Sequence, residues 1–500
     1  MSVVKRNTVA NVIGTVWGSI IGIVFVPVFL HFLGPEGYGM IGFFTTMTSL
    51  FSVLELGIGA AAAQELAKAS GGGGEVDQRR VQRLLESLEI VVYCIGAFVA
   101  LVAVLAAPFI AGKWLNSSAI PKAEIVNAIQ IQSLLFCLYF PNSLYAGCLS
   151  GQQRQVLNNW VGAVVNTARS AGGGAILWLV SPTLEAFLYW QLLVGVASIV
   201  ILRVCVWTEL PARWRLPRLH IQELVRVKDF AAGVAAGNLF GLFIMYADKL
   251  FLSALLPLED YGYYTIGWTL SVVVMRLALP ISTAVGPRLT ELIAADDPVG
   301  ASYLYHRSSQ FMAFAVVPVS VSIAFFAHDT LLLWTQNPAI AKAAQWPLTL
   351  LCFGNMLNAL SFLPYCAQIA HGWTSLSVRT SFFVALGVVP LIYFLATNFG
   401  LTGAAFVWPI VNVVYLVVYI PAMHMRIMKG EGIRWIRESF AYPIIATVLM
   451  VWGLYAIHGP ATSGRSFGNV VTLLSVGVLS LIACGASLSV VRRHVIARVR

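Results

Sequence analysis

Long apolar runs constrain this chain more than any other feature of its sequence. Stretches of about 20 residues, the length a helix needs to cross a hydrocarbon layer roughly 30 Å thick, recur from end to end. The first six occupy 9–30, 40–63, 87–107, 127–149, 158–180 and 183–207, and the next six 229–255, 261–286, 310–334, 342–370, 376–397 and 400–421. Two more follow at 439–458 and 468–490. None alternates as a barrel strand would. With 59% hydrophobic and 10% charged residues and a mean hydropathy of +0.81, the chain is too apolar for a water-soluble globule. The expected fold class is an all-α integral membrane protein with about 14 transmembrane helices.

A net charge of +10 raises nucleic-acid binding as a function, and the placement of the charge argues against it. With the N-terminus inside, most of the 31 Lys and Arg residues collect on the cytoplasmic side, in Arg79, Arg80 and Arg83, the run 213–228, Arg426 to Arg437 and the tail from Arg492. Only Lys113, Lys122, Lys342 and Arg465 face outward, and Arg169, Lys249 and Arg276 fall within spans. This bias sets both termini in the cytoplasm of a multi-pass inner-membrane protein and leaves anionic lipid as the partner of the basic surface. The seven cysteines all sit in spans without CxxC spacing and read as packing residues.

The sequence also repeats itself. A shift of 223 positions carries Leu33, Glu36, Tyr38 and Gly39 onto Leu256, Glu259, Tyr261 and Gly262. The same shift carries Gly14 and Gly18 onto Gly237 and Gly241, and Pro141 onto Pro364. Each half therefore opens with a GxxxG helix, a spacing that lets backbones approach closely in a bilayer. Six spans separate the copies, so the halves enter the membrane in the same orientation. The expected organisation is an N-terminal six-helix lobe (1–207), a cytoplasmic linker (208–228), a C-terminal six-helix lobe (229–421) and two additional helices with a basic tail (422–500).

The stretches LGPEGYGMIGFFTTMTSLFSVLELGIGAAAAQELA and ADKLFLSALLPLEDYGYYTIGWTL resemble the polysaccharide repeat-unit (Wzx-type, O-antigen or exopolysaccharide) flippases of the multidrug/oligosaccharidyl-lipid/polysaccharide exporter superfamily. That resemblance implies two bundles around a cavity that opens alternately to each side of the membrane. It also implies a polyprenyl-pyrophosphate-linked oligosaccharide as substrate, and other polysaccharide assembly proteins as partners. The alternative within the superfamily is an ion-coupled drug or metabolite exporter. A membrane-embedded polymerase or ligase fits less well. The longest outward loop, 108–126, carries one carboxylate, Glu124, and no nucleotide-binding, metalloprotease or nucleophile-elbow motif occurs. No enzymatic activity, metal or cofactor is expected.

Charges at membrane depth are costly and mark candidate sites. Arg169, Lys249 and Arg276 are the expected substrate-binding cations, suited to holding pyrophosphate by charge-assisted hydrogen bonds, with helix pairing or snorkelling as their alternative role. Glu55, at the acidic position of the resemblance's D/E-L-G pattern, and Asp248 are the candidates for proton or sodium coupling. Asp248 and Lys249 are adjacent, about 100° apart around a helix, and are expected not to form one pair. The 223 shift also sets Glu65 opposite Arg288, an expected cytoplasmic gate of opposite charges, formed directly or through a neighbour such as Lys68. The last two helices are expected either to line a groove for the lipid tails, as the resemblance implies, or simply to pack.

Overall fold

The computed structural model describes residues 3–55, 57–70, 75–208, 218–459 and 467–489. Within them the chain is a succession of helices: α1 (Val3–Val24), α2 (Val26–Phe51), α3 (Ile58–Ser70), α4 (Glu75–Phe109), α5 (Lys122–Gly151), α6 (Gln155–Thr167), α7 (Gly173–Leu179), α8 (Leu184–Trp207), α9 (Ile221–Leu255) and α10 (Leu258–Ala294). There follow α11 (Pro298–Phe325), α12 (Ala327–Thr335), α13 (Pro338–Leu360), α14 (Phe362–Ala370), α15 (Ser375–Val414), α16 (Ile420–Arg426), α17 (Gly432–Trp435), α18 (Tyr442–His458) and α19 (Phe467–Ser487). The β structure among the described residues is a single isolated bridge, Asn116 to Pro257.

Nine of the described helices are long and apolar enough to cross a membrane, or ten when the bent pair α1–α2 counts as one span. Part of the difference from the expected fourteen lies where breaks divide helices and where one helical stretch holds two expected spans, and the seventh expected span falls on α9, where the side chains of 233–241 are outside the described set. Residues 375–426 run on as one 52-residue helical stretch, yet Gly400 interrupts it at φ 56°, a left-handed conformation that side chains disfavour. Gly34, at φ 68°, breaks α2 in the same way at the first copy of the repeated turn. The fifth expected span appears as α6 and α7, joined by a π turn at Ala168–Gly172.

The described chain packs as two compact units, residues 1–259 and 260–500. The division therefore falls later than the linker expected at 208–228. The reason is α9, which opens the second repeat but sends Val227 and Ala231 into the core built by α3, α4, α5 and α8. The linker residues 209–217 and the tail beyond Ser489 lie outside the described residues.

Small residues set the closest approach in the first unit. A Cβ at Gly147 would run into the Gly59 carbonyl, and one at Gly151 into the Ala63 carbonyl, so α3 and α5 touch backbone to backbone. The predicted GxxxG of α1 works differently. Gly14 and Gly18 make room for Asn159 and Asn166 of α6, and Asn11 exchanges amide hydrogen bonds with Gln155 (2.8 Å) and Asn159. Gly237 and Gly241 lie in 233–241, whose side-chain surroundings are outside the described set. In the second unit, α18 and α19 pack on α11: Ser322 bonds Ser480 at 3.1 Å, and Val451 and Val476 are fully buried in the core.

Candidate functional site

Arg169 sits in the π turn between α6 and α7, near the middle of its span. Two side chains of α8 hold the turn's carbonyls: Trp190 Nε1 donates to Ala168 (2.8 Å) and Gln191 Nε2 to Arg169 (3.1 Å). The glycines that follow make this possible, since a Cβ at Gly172 would occupy the Trp190 ring and one at Gly173 would press on Phe187. Gly195 leaves space beside the guanidinium itself, its absent Cβ lying 3.7 Å from Nη2. Thus the backbone at Arg169 is fastened, yet the side chain is not. Its Nε is buried without a hydrogen-bond partner, and the guanidinium meets no carboxylate among the described residues. A half-buried cation with an orphan donor is chemically incomplete and suits an anion with several oxygens.

Arg276 is exposed on α10 in the second unit and has no ion-pair partner among the described residues. Pro280 lies four residues on and has no N–H to offer the Arg276 carbonyl, so the helix is weakened where the cation emerges.

Asp248 and Lys249 correct the sequence-based expectation that neighbours on a helix do not pair. Lys249 Nζ donates to both Asp248 oxygens, at 2.9 and 3.0 Å, and to the Met245 carbonyl at 3.0 Å. The four-carbon stem curls back along α9 and spans the angle that the Cβ directions leave open. Both groups are buried, at 2% and 4% exposure, so this charge is neutralised within its own helix.

Glu55 ends the 3-10 turn Ser52–Glu55, just before the chain reverses at Gly57 with φ 65°. Its carboxylate accepts a short hydrogen bond from Ser143 of α5. Gly59 packs against both groups, and Tyr139, one turn before Ser143, lies within electrostatic reach of Glu55 and Tyr246. Glu55 is therefore a hydrogen-bonded, half-buried carboxylate at a helix break, with no cationic partner among the described residues.

The two expected gate residues are engaged locally. Glu65 meets Lys68 at 2.6 Å and Arg80 at 3.4 Å, while Arg288 meets Glu291 at 2.6 Å. Among the described residues no cluster of three or more His, Cys, Asp or Glu is placed to hold a metal ion.

Three carboxylates matter that sequence reasoning did not single out as sites. Glu36 of the first repeated turn accepts from the hydroxyls of Ser117 (2.6 Å) and Ser118 (2.7 Å) and from the backbone N–H groups of Ser118, Ala119 and Ile120 at 3.0–3.2 Å. The same loop reaches the second repeated turn, with Trp114 donating to Ser253 (3.0 Å) and Leu258 N–H to Asn116 (2.7 Å). Glu89, 1% exposed, collects Tyr145, Arg203 and Trp207 at 2.7–3.2 Å and ties α4, α5 and α8 together. Glu431, between α16 and α17, accepts from Ser302 (2.6 Å) and lies 2.8 Å from His306. Burial pushes its carboxyl up, but the bonds to Ser302 and His306 outweigh that and hold it below the usual carboxylate range. Recurrence of Glu36 within the repeat was the one available signal.

Helices throughout the described residues, nine or ten of them long and apolar enough to cross a membrane, define the class: a multi-pass membrane protein. A family model described as polysaccharide biosynthesis protein matches residues 4–293, more than half of the chain, and a second, MatE, matches residues 234–394. The chain belongs to the polysaccharide biosynthesis protein family. A Shigella flexneri protein named "Putative O-antigen transporter" is 22% identical over 417 residues, covering 82% of this chain and 95% of that protein. The fold is similar to that of the lipid II flippase MurJ in an inward closed conformation, with a TM-score of 0.70 at 13% identity over 98% of this chain and 99% of the other. An inward-facing multidrug resistance MATE family transporter aligns with a TM-score of 0.65 at 15% identity, over 82% and 94% of the two chains.

Proposed function

We propose that this protein is a flippase that carries polyprenyl-pyrophosphate-linked oligosaccharide from the cytoplasmic to the outer leaflet by alternating access, with both termini in the cytoplasm. The observation that carries the reading is Arg169, a guanidinium at membrane depth whose backbone is fixed and whose charge is unanswered. A sugar–pyrophosphate headgroup cannot enter hydrocarbon without losing its hydration, and a cationic wall offers replacement hydrogen bonds. Arg276 provides a second unanswered guanidinium in the other unit. Lys249, already paired, serves as a substrate contact only by releasing Asp248. The isoprenoid tail needs no such path, being at home in lipid. Family membership and the name of the Shigella relative agree with this substrate class.

The second reading is ion-coupled export of drugs or metabolites, favoured by the Glu55 carboxylate at its helix break and by the MatE match. On either reading Glu55 and Asp248 are the coupling candidates for a proton or sodium ion, and Glu65 with Arg288 the cytoplasmic gate. A deletion strain separates the two. Loss of surface polysaccharide with intracellular accumulation of lipid-linked repeat units supports the flippase. Unchanged polysaccharide with increased sensitivity to cationic drugs overturns it.

A further inference from the structure

At one end of the first unit, a pocket of about 360 Å³ opens between the start of α1 and the turn joining α5 to α6. It is lined by Arg6, Gln153, Arg154, Val156, Leu157 and Trp160, with no carboxylate among them. Arg6 is exposed and has no ion-pair partner among the described residues. Arg154 is half-buried and anchored by donating from Nη1 to the Cys205 carbonyl at 3.0 Å. Gln153 stands in the left-handed region at φ 59° and is gripped by Asn7, which donates to its backbone carbonyl at 3.3 Å. The polar side of the pocket is thus built on a fastened turn, with Arg154 already engaged and Arg6 as the cation that has no counter-ion among the described residues.

Its other side is apolar. Trp160 is 67% exposed and Val156 39%, and exposed aliphatic residues continue along the same two helices: Val164 on α6, and Val9, Ile13 and Val16 on α1. Both helices begin at this end, so the pocket lies at the level where a span leaves the hydrocarbon, a level that favours Trp together with Arg. The volume equals roughly twelve waters at ~30 Å³ each, more than a bare phosphate fills. A cationic head, an interfacial tryptophan and an apolar strip leading into the membrane match one amphiphile.

We propose that this pocket binds the phosphate headgroup of an anionic phospholipid, its acyl chains lying along the exposed strip of α1 and α6. Such a lipid is a structural ligand distinct from the transported substrate, and it positions the first helix against the α5–α6 turn.

The test uses the purified full-length protein in an uncharged detergent, with native mass spectrometry of bound lipid after adding phosphatidylglycerol or phosphatidylcholine of identical chains. Phosphatidylglycerol is expected to be retained over phosphatidylcholine, and Arg6→Gln to lower its retention about fivefold, the contribution of one interfacial cation, while phosphatidylcholine retention stays unchanged. Arg6→Lys keeps most of the binding. Equal retention of the two lipids by the wild-type protein overturns the proposal, and so does equal phosphatidylglycerol retention by wild type and Arg6→Gln. Displacement of phosphatidylglycerol by equimolar inorganic pyrophosphate also overturns it, because the site would then belong to a soluble phosphate. Arg6 makes no described contact that folding depends on, and the wild-type lipid comparison stands whatever the variant does.

Discussion

Arg169 and Lys249 are both cations at membrane depth in the first unit, yet their surroundings differ in kind. Lys249 is buried with its counter-ion on the adjacent residue and a helix carbonyl as a third acceptor. Arg169 has its backbone carbonyl fastened by a neighbouring helix, while its Nε is buried without an acceptor among the described residues. The first arrangement is complete in the protein alone, and the second leaves a donor open among the described residues. Intramembrane charge is therefore a coarse marker of function, and what sharpens it is whether the protein has already spent that charge.

The largest effect should come from breaking the completed pair. Asp248→Asn leaves a buried ammonium without its counter-ion, and a loss of about 3–5 kcal/mol in stability is expected, seen as reduced membrane level and a lower Tm. A double change, Asp248→Asn with Lys249→Met, should restore most of it. Arg169→Gln should do the reverse. We expect a loss of about 1.5–3 kcal/mol in substrate binding, roughly 10- to 150-fold, with membrane level and Tm close to wild type. Unimpaired transport by that variant would remove Arg169 from the site, and loss of the folded protein would make it a packing residue like Lys249.

A smaller effect separates carboxylates by pH. Glu431 is held below the usual range, so its contribution to stability is fully present above the ordinary carboxylate pKa and is lost as pH falls through the lower, folded value. Glu431→Gln should flatten that acid-side decline in Tm, with about 1 kcal/mol at stake at neutral pH. An unaltered pH profile would show that Ser302 and His306 do not stabilise its ionised form. The smallest expected effect is at the gate. Glu65 and Arg288 are partly exposed and locally paired, so an ion pair between them is worth about 0–1 kcal/mol. Exchanging their charges, Glu65→Arg with Arg288→Glu, should recover transport that either single change impairs. Purely additive losses would leave no gate.

Much of this molecule was legible in its sequence because bilayers impose length and composition on helices. The spans and the rare charges at depth follow from that rule, while the transporter reading came from the repeat and the family resemblance. Pairing did not follow. The 100° between Asp248 and Lys249 is a property of Cβ directions, and a flexible stem overrode it. Nor did the α9 boundary, since the repeat records where a unit of sequence begins while packing depends on which core receives Val227 and Ala231. The π turn that presents Arg169 was equally hidden, because its cause lies in Trp190 and Gln191 of another helix. Glycine spacing was ambiguous for a similar reason. Gly14 and Gly18 accommodate asparagine side chains, whereas the backbone contact between α3 and α5 uses Gly59 and Gly147.

The clasp around Glu36 carries a consequence for how the chain is made. Its acceptor atoms wait for donors up to 84 residues downstream, and Trp114 in turn waits for Ser253, 139 residues further on. At a synthesis rate of about 5–20 residues per second, the Glu36 carboxylate remains solvated for roughly 4–17 s after it emerges, and the loop's second grip closes later still. The two contacts therefore close in order along the growing chain: Glu36 gains its full set of donors once Ile120 has been made, and Trp114 gains its acceptor only when Ser253 follows.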